Sequence, residues 1–273
     1  LPELPEVETV CRAMATHLVG RRVTGAWTDG LRLREPVSRA AVRSLVGERF
    51  EAARRRAKFL LFRLSSGRTL LVHLGMTGNL LFRSGENAEP TAHDHVLLDL
   101  DHGPPLVYAD PRRFGLFLVL TPTRLARSRW LRDLGVEPLT DDFDADFLLD
   151  ACRSRSRPIK SLLLDGHIVV GVGNIYASEA LFSARIRPTT PSGRISRPRM
   201  ERLVAEIKTV LQRAIDCGGT TISDYLGSGD GGRFQQELAV YGRAGEGCVV
   251  CDKPITNKVL SGRSTFYCTT CQH

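Results

Sequence analysis

Two short stretches, one at each end of the chain, hold residue types able to do chemistry. Near the C-terminus stand Cys248, Cys251, Cys268 and Cys271, two Cys-x2-Cys pairs separated by sixteen residues. Two such knuckles bring four thiolates to one tetrahedral Zn2+, while the insert has the length of a β-hairpin: the spacing is that of a zinc ribbon. A four-cysteine site is closed, so the ion orders the hairpin and takes no part in a reaction. Lys253, Lys258 and Arg263 lie between the knuckles and suit a phosphate contact. The other end reads Leu1-Pro2-Glu3-Leu4-Pro5-Glu6-Val7-Glu8-Thr9. With Leu1 attached, Pro2 is an imide without a basic nitrogen; with residue 1 removed, it is a free secondary amine and a candidate nucleophile. A terminal amine of pKa roughly 8 is partly neutral at pH 7, whereas a lysine near roughly 10.4 is almost wholly charged. We read Leu1 as a non-AUG start codon translated literally, initiated as methionine and then removed because Pro2 is small.

Basic and aromatic residues cluster between these ends. Arg54-Arg55-Arg56-Ala57-Lys58 leads into a strand, followed by His73-Leu74-Gly75-Met76-Thr77-Gly78, His93-Asp94-His95 and Asp110-Pro111-Arg112-Arg113-Phe114-Gly115. An arginine run is usually a solvated face, and Met76 or Phe114 would by default be core. Each apolar residue nevertheless sits at a strand end beside Gly, Thr or Arg, where a side chain can project into a DNA stack. Farther on, Gly171-Val172-Gly173-Asn174 separates two helices, with Asn174 expected to cap the second and exposed amides able to bind phosphate. Lys160, one helix upstream, could reach the same strand. Gly227-Ser228-Gly229-Asp230-Gly231-Gly232 reads as a mobile surface loop or a plain linker.

The elements that must position these residues follow from hydrophobic spacing. Val7, Val10, Cys11, Met14 and Leu18 mark one face of a helix that begins near Pro5 and stops at Gly20. Short β-rich runs fill residues 58–120, with turn signals between them, and argue for a β-sandwich with that helix against it. From residue 122 the texture is helical to about 217, the last helix carrying Leu203, Val204, Ile207, Val210, Leu211 and Ile215 on one face. The expected fold is α+β with two domains: an N-terminal β-sandwich (1–121) with flanking helices, a linker (122–138), a helical helix-two-turns-helix bundle (139–235) and a β-hairpin zinc ribbon (236–273). Length and composition, 273 residues with 42% hydrophobic and 25% charged, allow two globular cores. Lysine and arginine number 38 against 30 acids, giving +8 and a pI near 9.4, which favours a polyanionic partner. No apolar stretch is long enough to span a membrane and no signal peptide is read, so the expected setting is cytoplasmic, where seven cysteines do not build a disulfide framework.

Six ordered motifs together resemble the bacterial formamidopyrimidine-DNA glycosylase family, which also holds endonuclease VIII: the opening through Thr9, Arg55-Arg56-Ala57-Lys58, His73-Leu74-Gly75-Met76, Asp110 to Gly115, Gly171-Val172-Gly173-Asn174-Ile175-Tyr176, and the ribbon with Arg263. The resemblance implies a monomeric enzyme acting on double-stranded DNA that contains oxidised bases or abasic sites. It implies that Pro2 attacks the sugar carbon bearing the damaged base and forms an imine, with Glu3 as general acid and Glu6 positioning the terminus. Lys58 matches the lysine that assists at the lesion phosphate and the first elimination, and Arg263 the ribbon arginine that assists the second. His73, His93, Arg155, Lys160, Asn174 and Tyr241 correspond to DNA contacts; Met76, Arg112 and Phe114 resemble three residues that fill the hole left by an everted base. The loop at 220–234 corresponds to one that covers 8-oxoguanine. Gly166 departs from the glutamine common in the family.

The trio and the opening favour the oxidised-purine branch over an endonuclease VIII-like pyrimidine glycosylase. A noncatalytic zinc-dependent binder of damaged DNA is the alternative if Leu1 is retained.

Overall fold

The structure is a computed structural model describing residues 2–83, 89–218 and 237–273. Leu1 and the segment 220–234 expected to cover a base lie outside the described residues. The described residues fall into two compact units, one up to Arg132 and one from Asp133 onward.

In the first unit, α1 (Leu4–His17) starts as the spacing predicts. Pro5 occupies the first turn, where its missing N–H has no helical acceptor to satisfy, and Val7, Val10, Cys11, Met14 and Leu18 are all buried. The chain then builds β1 (Val23–Thr28), α2 (Arg39–Arg43), β2 (Phe50–Arg56), β3 (Phe59–Leu64), β4 (Thr69–His73), β5 (Asn79–Phe82), β6 (Asp94–Leu100), β7 (Leu106–Ala109), β8 (Leu116–Leu120) and α3 (Pro122–Ala126). Two four-stranded antiparallel sheets form, ordered β1-β6-β7-β5 and β2-β3-β4-β8. Alternate residues such as Leu60, Phe62 and Leu64 point into a core shared with Val96, Leu98, Tyr108 and the apolar face of α1. Strands β1, β2 and β5 were not legible as apolar runs. β2 reads Phe-Glu-Ala-Ala-Arg-Arg-Arg, so its arginines disguise a strand whose pairing with β3 supplies the stability. The last strand of this unit begins at Leu116, just after Phe114 and Gly115.

The second unit contains α4 (Ala145–Cys152), α5 (Ile159–Leu163), α6 (Asn174–Ser183), α7 (Arg197–Asp216) and the hairpin β9 (Thr256–Leu260) and β10 (Arg263–Tyr267). Every residue of the α7 stripe is buried, along with Met200 and Ala214, against Ile159, Leu162, Tyr176 and Leu181. The ribbon shares its small core with a helix: Phe182 of α6 packs with Val240, Ile255, Phe266, Cys248 and Cys268. Gln272, fully buried, donates to Ile186 O at 2.8 Å and accepts from Cys268 N at 2.9 Å, pinning the tail to the bundle. Among the described residues no helix is long and apolar enough to cross a membrane.

Candidate active site and nucleic-acid interface

Pro2 is buried and lines a recess of about 340 Å3 with Arg34, Lys58, His73, Gly75, Met76, Arg113 and Phe114. Its height above the sandwich is set by α1: Glu6 accepts the Glu3 N–H at 2.9 Å, closing the first turn, and Glu3 and Glu6 are each 1% exposed. Glu8 accepts from Arg55 Nε at 2.8 Å, tying α1 to β2. Arg55 is thus withdrawn from the solvated basic face that its run suggested. Lys58 sits on a two-residue turn between the paired Arg56 and Phe59, and Ala57 before it takes φ 54°. A left-handed alanine costs about 1–2 kcal/mol, strain held by the β2-β3 ladder at the point that presents Lys58.

His73 ends β4 facing the recess. Its Nδ1 accepts the Gly75 N–H at 2.8 Å, so Nε2 holds the proton. Burial, with the positive charges of Arg34 and Lys58, pushes its pKa down to about 3. At neutral pH it is therefore an uncharged N–H donor between two cations.

Of the three residues expected to fill the hole left by an everted base, Met76 and Phe114 line this recess and Arg112 stacks on Phe114. Met76 is 41% and Phe114 44% exposed, values unusual for such side chains, and Arg112 lies over the Phe114 ring at 4.7 Å. Asp110, fully buried, holds their loop: its carboxylate accepts from Thr77 Oγ1 at 2.7 Å and Gly115 N at 2.8 Å, and Thr77 Oγ1 in turn accepts Arg112 N at 3.3 Å. Arg113 bends the chain between them with φ 56°. Gly75, at φ +63°, lets the Met76 turn approach this loop; a Cβ there would lie 2.5 Å from the Phe114 carbonyl carbon. Sequence reasoning named none of Asp110, Thr77 and Gly75 as site residues, although all three stand inside the motifs. Also missed was His95, 2% exposed, with Nε2 at 3.0 Å from Asp110 O and Nδ1 at 2.7 Å from Asp29. His93 is exposed at the edge of the same sheet, its carbonyl accepting Asp110 N.

In the second unit the four cysteine sulfurs lie within 4.8 Å of one another, with Cys248 to Cys271 at 3.9 Å and Cys251 to Cys268 at 3.5 Å. Sulfurs placed tetrahedrally at about 2.3 Å from an ion are about 3.8 Å apart, so the set fits one structural zinc, held by all four and closed to reactants. The hairpin turns through Ser261 (φ 50°) and Gly262 (φ 74°), a tight two-residue turn that puts Arg263 at its tip. Arg263 is exposed, and its guanidinium meets no carboxylate among the described residues.

One expectation here needs correction, the Asn174 cap. Asn174 does not cap α6: Gly173 is the cap residue, and Asn174 begins the helix and donates from Nδ2 to Ser264 O at 2.9 Å. Lys160, expected to contact DNA, is buried. It is 1% exposed, and its ammonium donates to Ser264 O at 3.2 Å and Thr265 Oγ1 at 3.0 Å, because a buried ammonium must find acceptors and the hairpin backbone supplies them. Both residues dock the hairpin on the helices. Glu179, which nothing in the sequence singled out, does the same for the segment leading into the ribbon: buried in α6, it accepts from the N–H groups of Ala239, Val240 and Tyr241 at 2.8, 3.0 and 2.8 Å. Burial raises its pKa in spite of these donors. Tyr241 is thereby fixed, its ring against Phe266 with centroids 5.1 Å apart. Arg155 is exposed in the α4-α5 connection.

A recess lined by Pro2, Lys58 and His73 in one unit and a four-cysteine ribbon in the other are the parts expected of a DNA-lesion glycosylase. Residues 1–117 match the Formamidopyrimidine-DNA glycosylase N-terminal domain, 134–225 the Formamidopyrimidine-DNA glycosylase H2TH domain, and 245–273 the zinc finger found in FPG and IleRS. Formamidopyrimidine-DNA glycosylases of Teredinibacter turnerae and Stutzerimonas stutzeri are 49% and 50% identical, each over 100% of both chains. The Lactococcus lactis Fpg, solved with DNA containing an abasic site, superposes with a TM-score of 0.90 over 99% of both chains at 31% identity. The chain belongs to the formamidopyrimidine-DNA glycosylase family.

Proposed function

We propose that this protein is a bifunctional glycosylase and lyase that excises oxidised purines, 8-oxoguanine opposite cytosine and formamidopyrimidines, from duplex DNA. The observation that carries the proposal is the burial of Pro2 in a recess walled by Lys58 and a neutral His73, with Met76, Arg112 and Phe114 at the rim. Once residue 1 is removed, the Pro2 amine attacks C1′ of the everted nucleotide. The C1′–base bond breaks and the base leaves with a proton. Glu3 protonates the ring oxygen as the C1′–O4′ bond opens, giving an imine. Loss of a proton from C2′ expels the 3′ phosphate, with Lys58 assisting, and a second elimination, assisted by Arg263, expels the 5′ phosphate. A one-nucleotide gap remains. Arg112 addresses the orphaned cytosine, while His73, His93, Arg155 and Tyr241 hold the backbone. The protein works as a monomer, and its family's glycosylase names and DNA-bound structures support DNA as substrate.

Borohydride trapping on a duplex with 8-oxoguanine opposite cytosine, mapped by mass spectrometry, tests this reading. A crosslink on Pro2 is expected; none, with binding intact and Leu1 attached, replaces it with the noncatalytic binder. A second reading has its own observation, since the Lactococcus lactis enzyme was solved with DNA containing an oxidised pyrimidine. Faster excision of oxidised pyrimidines than of 8-oxoguanine would establish it.

A further inference from the structure

Arg34 belongs to none of the roles described so far, yet it lines the recess with Pro2, Lys58 and Arg113. It stands on the segment between β1 and α2, anchored by the buried Leu33 and by its own backbone N–H donating to Gly115 O at 3.0 Å, the closing residue of the probing loop. Its guanidinium lies over the Trp130 ring at 5.5 Å. Arg129 lies over the same ring at 4.9 Å, but Arg129 is neutralised by Glu35, whereas Arg34 meets no carboxylate among the described residues. Among the described residues no acid lines the recess, and three cations, Arg34, Lys58 and Arg113, line it without an ion-pair partner.

We propose that Arg34 is a further phosphodiester contact to the strand being cut, and that Trp130 is its positioning residue. The inference rests on the reading of Pro2 as the reacting group. A guanidinium stacked on an aromatic face keeps its N–H edge available for a phosphate, and stacking removes rotamer freedom in advance of binding. Uncompensated positive charge in a recess attracts a polyanion, and each phosphate neutralised releases counterions. Stacking also holds the Arg34 charge near His73, one of the causes of that residue's depressed pKa.

The test is the salt dependence of binding to a labelled duplex carrying a tetrahydrofuran abasic-site analogue, for the full chain and for R34A, R34K, W130A and W130F. R34A is expected to weaken binding about tenfold and to reduce the magnitude of the log K against log salt slope by ~0.9, the value for one lost phosphate. R34K should keep the slope. W130A should weaken binding about threefold with the slope retained, and W130F should restore affinity. Wild-type slope and affinity in R34A would overturn the Arg34 contact, and wild-type affinity in W130A would overturn the role of Trp130. Arg34 is exposed, so R34A threatens no core; a melting curve for W130A separates misfolding from lost positioning, and R34A decides the contact by itself. Borohydride trapping of the wild type on a natural abasic site is run alongside. Trapping on Pro2 with an unchanged R34A slope removes this inference alone, while a changed slope without trapping upholds the phosphate contact and removes the nucleophile.

Discussion

The proposed reaction needs an amine whose neighbours fix its position and keep competing charge away, and three residues around Pro2 are placed to do this. Glu6 closes the first turn through the Glu3 N–H, Gly75 lets two loops meet, and His73 stays neutral. Glu3→Gln is expected to lower single-turnover excision by at least about 100-fold, the usual scale of a lost general acid, while leaving DNA affinity within about threefold. Because the His73 pKa is depressed in the folded state, its contribution to stability is complete above about pH 6.5 and is lost as pH falls toward about 3. Urea unfolding at pH 7 and 4.5 should therefore show an acid loss on the order of 1–3 kcal/mol in the wild type that is absent in His73→Gln. Gly75→Ala combines a φ of +63° with a Cβ 2.5 Å from backbone, so a loss of about 1–3 kcal/mol is expected in the same assay, with reduced lesion excision.

At the scale of elements, the hairpin is held to the helices by buried polar groups as much as by apolar packing. Lys160 and Asn174 both reach Ser264 O, and Glu179 gathers three consecutive N–H groups ahead of the ribbon. Lys160→Met should lower the melting temperature by an amount corresponding to about 1–3 kcal/mol, with little change in the salt slope of DNA binding. A slope lower by ~0.9 would return Lys160 to the phosphate contacts. Glu179→Ala orphans three consecutive N–H donors, one buried and two part-buried, and a larger loss of stability with easier release of zinc is expected, read by calorimetry and a chelator-competition dye. The burial of Lys160 was not legible in the sequence because a lysine near a glycine-rich turn reads as exposed, and spacing carries no information on burial.

Across the whole molecule, removal of zinc should unfold the hairpin and displace Arg263, weakening lesion binding at least tenfold while the β-sandwich keeps its far-UV circular dichroism. Tight binding after verified metal loss would contradict this. The chain's own pattern determined a good deal: the α1 and α7 stripes, the sandwich class and the four zinc ligands were legible because periodicity and ligand spacing are local properties, while Pro2, Lys58, Met76, Arg112 and Phe114 entered as candidates through the motifs that carry the family resemblance. The tertiary structure decided the rest. β2 was hidden because its arginines break the apolar run, and only pairing with β3 makes it a strand. Asp110, His95, Arg34 and Trp130 gain meaning from partners 33, 66, 81 and 96 residues away, such as Thr77 for Asp110 and Asp29 for His95, or from a shared ring and recess. Charge and hydrogen-bonding capacity are written in residue type, but whether a group is buried, neutralised or left facing a cavity depends on what the fold packs against it.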